Sequence, residues 1–343
     1  MTTFLGRTAD QVWQQLYQAT MPAGGTSRIQ SSRAGDTLEL LHVAFEIQEP
    51  VERWVVSRRP AVNPAFAIAE AISLLAGNNK ASVLNFWNSQ LPKFAGDGTI
   101  YPGAYGYRLR HQFGFDQLRR AYEALAANPD SRQVVLQIWD VTSDLPEEDG
   151  LPRSMDVPCN LCSILKVRED RLEWTQIMRS TDIHRGLPYN VVQFTLIQEI
   201  MAGWLGVKVG SYHHWSDSLH AYCDALRTFS CEPCIDFPRS TDSLATGITQ
   251  GEIILAELFQ RLVALSEPTL SESRVGRLSI MPDVPIGYGN LLRILGAESA
   301  RRRGYSEVAN EIVSACTNPQ LVHTWTAWSR RSKPHRRPQR VQV

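Results

Sequence analysis

The chain has 343 residues, enough to bury one large core or two smaller ones. Apolar residues make up 43% and charged residues 20%, which excludes a disordered chain and fits an ordinary globular enzyme. The formal net charge is zero, so no overall field draws the molecule to nucleic acid, and any anion must be held by local cations.

The first residues, MTTFLGRTADQVWQQLYQAT, lack a signal-type apolar stretch, and no later run reaches the ~20 apolar residues of a membrane span. A cytoplasmic location without a membrane partner is therefore expected, with thiols kept reduced. The six cysteines include two Cys-x-x-Cys pairs, Cys159/Cys162 and Cys231/Cys234. Structural zinc usually takes such pairs from turns within a short span. Here a long segment separates them, and the first pair enters a strand-like run where Cys162 is expected to face away from Cys159. No metal is expected.

In chain order, Val12, Leu16 and Tyr17 predict a helix over 8–20 with Thr8 as its cap, followed by a Gly/Ser-rich loop. Arg33-Ala34-Gly35-Asp36-Thr37 opens a predicted strand over 38–45. Asn63-Pro64 starts a helix over 65–76 closed by Gly77, and Glu70 is its only carboxylate, set among small and apolar neighbours. Leu118, Tyr122 and Leu125 mark a helix over 115–127, and a strand over 134–139 follows. A polar loop over 140–157 delivers the chain to Cys159. Two strand-like runs flank a charged turn, and an apolar helix spans 191–204. A short strand is expected before Gly210, with helices over 219–229, 251–265 and 305–316. There is no internal repeat. The end, SRRSKPHRRPQRV, is basic and Pro-containing, so a disordered tail is expected.

Within residues 158–190 the chain gathers a thiol, a guanidinium, a hydroxyl, a carboxylate and a carboxamide, the groups that a site for an anionic polar ligand needs. They occur as Pro158-Cys159-Asn160, Met178-Arg179-Ser180-Thr181-Asp182 and Gly186-Leu187-Pro188-Tyr189-Asn190. This ordered set resembles thymidylate synthase and the related pyrimidine nucleotide hydroxymethylases, whose motifs read Pro-Cys-His, Gln-Arg-Ser-x-Asp and Gly-x-Pro-Phe/Tyr-Asn. The resemblance implies an α/β (α+β) fold, a large mixed twisted sheet with helices on one face. The expected organisation is a catalytic domain over 1–235, a helical part or extension over 236–329 and the basic tail over 330–343. It also implies that Trp54 to Pro60 forms a family strand and its exit.

The same resemblance assigns roles. Cys159 would be the nucleophile, with Glu70, Tyr105, Asp182 and Asn190 acting around it. Arg33, Arg132, Arg179 and Ser180 would hold phosphate, Arg132 reaching across a homodimer. His213 and Trp215 would meet the sugar hydroxyl, where the family has His and Tyr. Trp87, Asp182, Gly186 and Tyr189 would meet 5,10-methylenetetrahydrofolate as co-substrate. Departures are Asn160 for His, Met178 for Gln, Gln133 for a second Arg, an inserted Gly103, and Asp217-Ser218 for Asn-His. The short apolar C-terminus that seals the folate in the family is not visible.

The resemblance implies the following chemistry for these residues. Thiolate addition to carbon 6 of a uracil ring puts electron density on carbon 5, splitting one hard step into easier ones. A free thiol has a pKa near ~8.5, so a neighbouring cation, Arg179, is needed to enrich the thiolate. Asn190 offers one donor and one acceptor to ring nitrogen 3 and oxygen 4, favouring dUMP over a cytosine nucleotide. The one-carbon unit then meets hydride, as in a synthase, or water, as in a hydroxymethylase. The missing seal leans the reading to 5-hydroxymethylation, with reductive methylation to dTMP as the alternative. A non-catalytic nucleotide- or RNA-binding relative is a third reading, which the presence of Cys159 opposes.

Overall fold

The computed structural model describes residues 1–21, 27–32 and 34–330. Along the chain the strands are β1 (Thr2–Gly6), β2 (Arg28–Ser32), β3 (Gly35–Ile47), β4 (Arg58–Arg59), β5 (Val135–Gln137), β6 (Asn160–Arg168), β7 (Arg171–Asp182), β8 (Lys208–Tyr222) and β9 (Ser230–Cys231). The helices are α1 (Ala9–Thr20), α2 (Pro64–Leu75), α3 (Ala81–Trp87), α4 (Pro92–Ala95), α5 (Tyr105–Tyr107), α6 (Gln117–Ala127), α7 (Val141–Asp144), α8 (Leu187–Leu205), α9 (Ile248–Leu265), α10 (Glu272–Leu278), α11 (Ile286–Arg302), α12 (Ser306–Ser314) and α13 (Pro319–Ser329).

The two strand-like runs around the charged turn form the hairpin β6–β7, turning at Glu169 and Asp170, which both take positive φ. β8 then adds parallel to β7 and antiparallel to β3, giving a mixed sheet in the order β1-β3-β8-β7-β6-β5, with β2 also on β3. Along β6 and β7, Leu165, Val167, Leu172, Trp174 and Gln176 are buried, whereas Ile164, Lys166, Thr175 and Ile177 are only half-buried. That alternation marks a sheet covered by helices on one face. α8 lies on this face, apolar nearly all round, between β7, β8 and α2.

Thr8 caps α1 in a reciprocal box with Gln11, and Asn63 caps α2 by accepting from the Phe66 amide. The expected strand over 54–60 shrinks to Arg58–Arg59. Its backbone donors are taken instead by Asp10, whose Oδ1 accepts from the Val56 and Ser57 amides at 2.7 Å each. The expected helix over 219–229 is also corrected. β8 runs on to Tyr222, with Leu219 and Ala221 buried against β3, and only a single 3-10 turn follows over Ala225–Arg227. Gly210 to Asp217 thus lies inside β8 rather than after a short strand.

The helices α9, α11 and α13 pack on α2 as a C-terminal extension. α10, α11 and α13 lie in the stretch over 236–329 expected to be helical, where the pattern bounds only the helices over 251–265 and 305–316. α11 carries three glycines, which let backbones approach: a Cβ on Gly287 would lie 2.6 Å from the Ser243 carbonyl. The end of α11 is fastened by fully buried Glu298, which pairs with Arg301 and Arg302. Arg302 also donates to the Trp87 carbonyl at 2.6 Å. The basic tail over 331–343 lies outside the described residues.

α5 sits hard on α2, because a Cβ at Gly106 would fall inside van der Waals contact of the Leu74 carbonyl. Gly106→Ala is therefore expected to destabilise the protein by about 1–3 kcal/mol through overpacking. A lower urea midpoint at unchanged slope, measured on the purified variant, is the check.

Candidate active site

Arg179 organises the start of β6. Its amide donates to the Cys159 carbonyl at 2.9 Å, its Nε to the Pro158 carbonyl at 2.9 Å and its Nη2 to the Val157 carbonyl at 3.2 Å. The guanidinium lies 5.6 Å over the Trp139 ring. Cys159 is thus held half-buried at the strand end, next to backbone that the Arg179 guanidinium bonds.

Tyr105 of α5 completes this corner. Burial first, then the fields of Cys159 and Asp156, push its hydroxyl well above the usual phenol range, while Arg179 pulls it down. Its ring stacks on Phe194 of α8 at 6.2 Å. The inserted Gly103 has a structural use: its amide donates to Asp156 Oδ2 at 2.7 Å, and a Cβ there would meet the Asp156 carbonyl at 2.6 Å. The loop before Tyr105 and the loop before Cys159 are therefore locked together.

Glu70 projects from α2, and its field also acts on Tyr105. Burial pushes its carboxyl up from 4.5 to about 8, opposed by a hydrogen bond with Gln193, and its Oε2 is buried without a partner. Asn190 occupies the first turn of α8, half-buried, its carboxamide making no hydrogen bond among the described residues. Asn160 is fully buried and accepts from Gln176, which also takes the Ser163 hydroxyl at 2.8 Å. A bulge between Asn160 and Cys162 makes this triple contact possible and breaks the alternation on which the Cys159/Cys162 facing expectation rests.

Asp182 Oδ1 accepts from the His184 and Arg185 amides at 2.7 and 2.9 Å, shaping the turn that leads through Gly186 into α8. The Tyr189 hydroxyl accepts from the Asn63 amide at 3.2 Å, and its ring meets Phe66 edge-on. Trp87 is fully buried, with its indole nitrogen unpartnered, so it presents no open face. Arg132 is exposed just before edge strand β5. Arg33 lies outside the described residues. Among the described residues there is no group of three or more His, Cys, Asp and Glu side chains that could hold a metal ion.

His213 and Trp215 do not join this cluster. In register, His213 pairs with Thr175, while Ser180 pairs with Ser218 and Asp182 with His220. Five residues of strand separate His213 from the Ser180 level, roughly 17 Å at ~3.3 Å per residue. His213 stands between Glu173 and Glu46 at 3.5 and 4.0 Å; the Glu173 hydrogen bond is the main reason its pKa is raised. Trp215 stacks on His42 at 6.5 Å. The residues beside Ser180 and Asp182 are instead His220 and Tyr222, which sequence reasoning missed. His220 Nδ1 lies 3.3 Å from the Ser180 hydroxyl, and its ring meets Tyr222 edge-on at 5.2 Å. Burial, then Asp182, raises the Tyr222 hydroxyl. The same His-x-Tyr spacing that drew attention to position 213 recurs at 220, intact, in a segment read as helix.

A family profile described as "Thymidylate synthase" matches residues 26–233. The chain belongs to the thymidylate synthase family. It is 34% identical over 235 residues to the "Deoxyuridylate hydroxymethyltransferase" of Bacillus phage SP01, covering 65% of this chain and 60% of that protein. To the protein of the same name in Pseudomonas phage M6 it is 34% identical, over 52% of this chain and 50% of that one. To that of Delftia phage PhiW-14 it is 28% identical, over 60% and 59%. The chain thus spans between half and three-fifths of the length of these relatives. No helix among the described residues is long and apolar enough to cross a membrane.

The Glu70 environment makes a pH test. Because its folded pKa lies above the unfolded one, the unfolded chain loses its proton first, and this group's effect on stability worsens as pH rises between about 4.5 and about 8. Glu70→Gln removes that term. The stability difference between Glu70→Gln and wild type should grow in favour of the variant across this window and level off above it, measured by urea unfolding at several pH values.

Proposed function

We propose that this chain transfers the one-carbon unit of 5,10-methylenetetrahydrofolate to carbon 5 of dUMP through a covalent adduct on Cys159, giving the 5-hydroxymethyl nucleotide. The observation that carries the reading is the convergence of Cys159, Tyr105, Arg179 and Glu70 in one corner, from three separate segments of the chain. The thiolate bonds to carbon 6, and the ring's electron pair on carbon 5 takes the one-carbon unit. The carbon 5 proton leaves, tetrahydrofolate departs and an exocyclic methylene remains. Water bonds to that methylene, and collapse of the enolate expels Cys159.

Arg179 spends Nε and Nη2 on the backbone before Cys159, which fixes its charge there, and with Ser180, next to it in sequence, it forms the pair suited to phosphate. Asn190 reads the base. His220 and Tyr222, next to Ser180 and Asp182, take the sugar-hydroxyl role first expected of His213 and Trp215. Asp182 and Tyr189 meet the folate beside Gly186. Arg132, exposed near the sheet edge, reaches the site of a second copy in a homodimer, and Arg33 belongs to the same phosphate set.

Support for the hydroxymethyl product comes from the names of the phage relatives and from Asn160 and Met178, which replace polar groups of the synthase pattern. Reductive methylation to dTMP is the second reading, favoured by the match of residues 26–233 to the thymidylate synthase profile. Incubation with dUMP, dCMP, UMP and CMP plus methylenetetrahydrofolate decides it. The expected product is heavier than dUMP by the elements of formaldehyde, without dihydrofolate. One dihydrofolate per nucleotide would instead mean a synthase. Cys159→Ser should abolish product while holding nucleotide affinity within a few-fold.

Base choice rests on Asn190. A carboxyl there can meet the amino group and ring nitrogen of cytosine, so Asn190→Asp should shift the kcat/KM ratio from dUMP toward dCMP by about tenfold or more. A variant that keeps the wild-type ratio would remove Asn190 from base recognition.

A further inference from the structure

Two buried oxygens lie on adjoining side chains beside the Cys159 corner. Glu70 Oε2 on α2 and Gln193 Oε1 on α8 each lack a hydrogen-bond partner, although the two side chains are themselves hydrogen-bonded to one another. Gln193 is only 5% exposed and sits one helical turn beyond Asn190. An unsatisfied buried polar group costs about 1–3 kcal/mol. With the Glu70 carboxyl ionised, two acceptors on hydrogen-bonded side chains and no donor can be satisfied together by one molecule that has two O–H donors. Neither α2 nor α8 can supply that donor from its backbone, because their amides at this depth are bonded within the helices.

We propose that Gln193 is the positioning residue that selects water over hydride: with Glu70 it holds the water that adds to the exocyclic methylene. This rests on the hydroxymethyl reading above. In the step, the water oxygen bonds to the methylene carbon, and the carbon–carbon π pair moves into the ring enolate. The water proton passes to the ionised Glu70 carboxylate. Return of the enolate pair to carbon 5–carbon 6 releases the Cys159 thiolate. Gln193 takes no proton; it aims Glu70 and accepts the water's second O–H, which fixes the water's orientation.

The test is a partition measured with dUMP carrying tritium at carbon 5. Tritium release counts every transfer of the one-carbon unit, and hydroxymethyl nucleotide counts those finished by water. Wild type should give a ratio near unity. Gln193→Met, close in volume and without the amide, should lower the ratio about tenfold, the remainder appearing as dTMP with dihydrofolate or as nucleotide still bound to the protein. The same variant should move the rising limb of the hydroxymethylation pH profile to higher pH, because the bond that favours ionised Glu70 is gone. If Gln193→Met does not fold, Gln193→Asn, which draws the amide back by one methylene, is read in the same two ways. An unchanged ratio and an unmoved profile in a wild-type hydroxymethylase overturn the Gln193 role alone. A wild type that makes only dTMP overturns the hydroxymethyl reading and this role with it.

Discussion

The site depends on the fixing of one arginine. Arg179 holds three successive carbonyls, those of Val157, Pro158 and Cys159, through two guanidinium nitrogens and its own amide. A long cationic side chain would ordinarily sweep several ångströms of solvent. Tied to rigid backbone, it becomes a fixed charge at the end of β7, and charge-assisted bonds of this kind are about twice as strong as neutral ones. The consequence is a fixed positive charge on the backbone that leads into Cys159. It is also structural, since the approach to β6 is a loop that β-pairing alone does not order.

Around that point, constraints are supplied from far along the chain. Arg108 is buried and bonds the Pro102 and Ile138 carbonyls as well as Asp144, joining the Tyr105 loop to the end of β5 and to α7. Removing one partner of such a buried pair typically costs about 3–5 kcal/mol. The extension acts from the other side. α9, α11 and α13 cover α2, and Arg302 reaches the Trp87 carbonyl, so the helix bearing Glu70 is buried on its outer surface too. The Glu70 side chain turns to Gln193 of α8, and burial raises its carboxyl.

The sequence made the centre of the site readable because residues 158–190 fold as one hairpin and one helix start, so chain order and spatial order coincide. Thr8, Asn63 and Gly77 marked their helices by local chemistry alone. What stayed hidden depended on distant partners. Residues 54–57 look like a strand, but the Val56 and Ser57 amides are claimed by Asp10 on another element. His220 and Tyr222 were lost because Leu219, Ala221 and Ala225 suit a helix as well as a strand, and only pairing with β3 and β7 decides between them. Asn160 reads as a plain substitution until the bulge brings it to Gln176. The use of the α11 glycines has no local signal, because Ser243 and Ser279 lie against them from elsewhere in the chain.

The most direct measurement is intact-mass analysis of the protein after incubation with methylenetetrahydrofolate and the 5-fluoro analogue of dUMP, followed by peptide mapping. Fluorine at carbon 5 cannot leave as the proton does, so a nucleophile bonded to carbon 6 is trapped with nucleotide and folate attached. One adduct per chain, on the peptide containing Cys159 and missing in Cys159→Ser, is the predicted result. No covalent adduct, or an adduct on another cysteine, would contradict the assignment of Cys159 as the nucleophile around which the site is built.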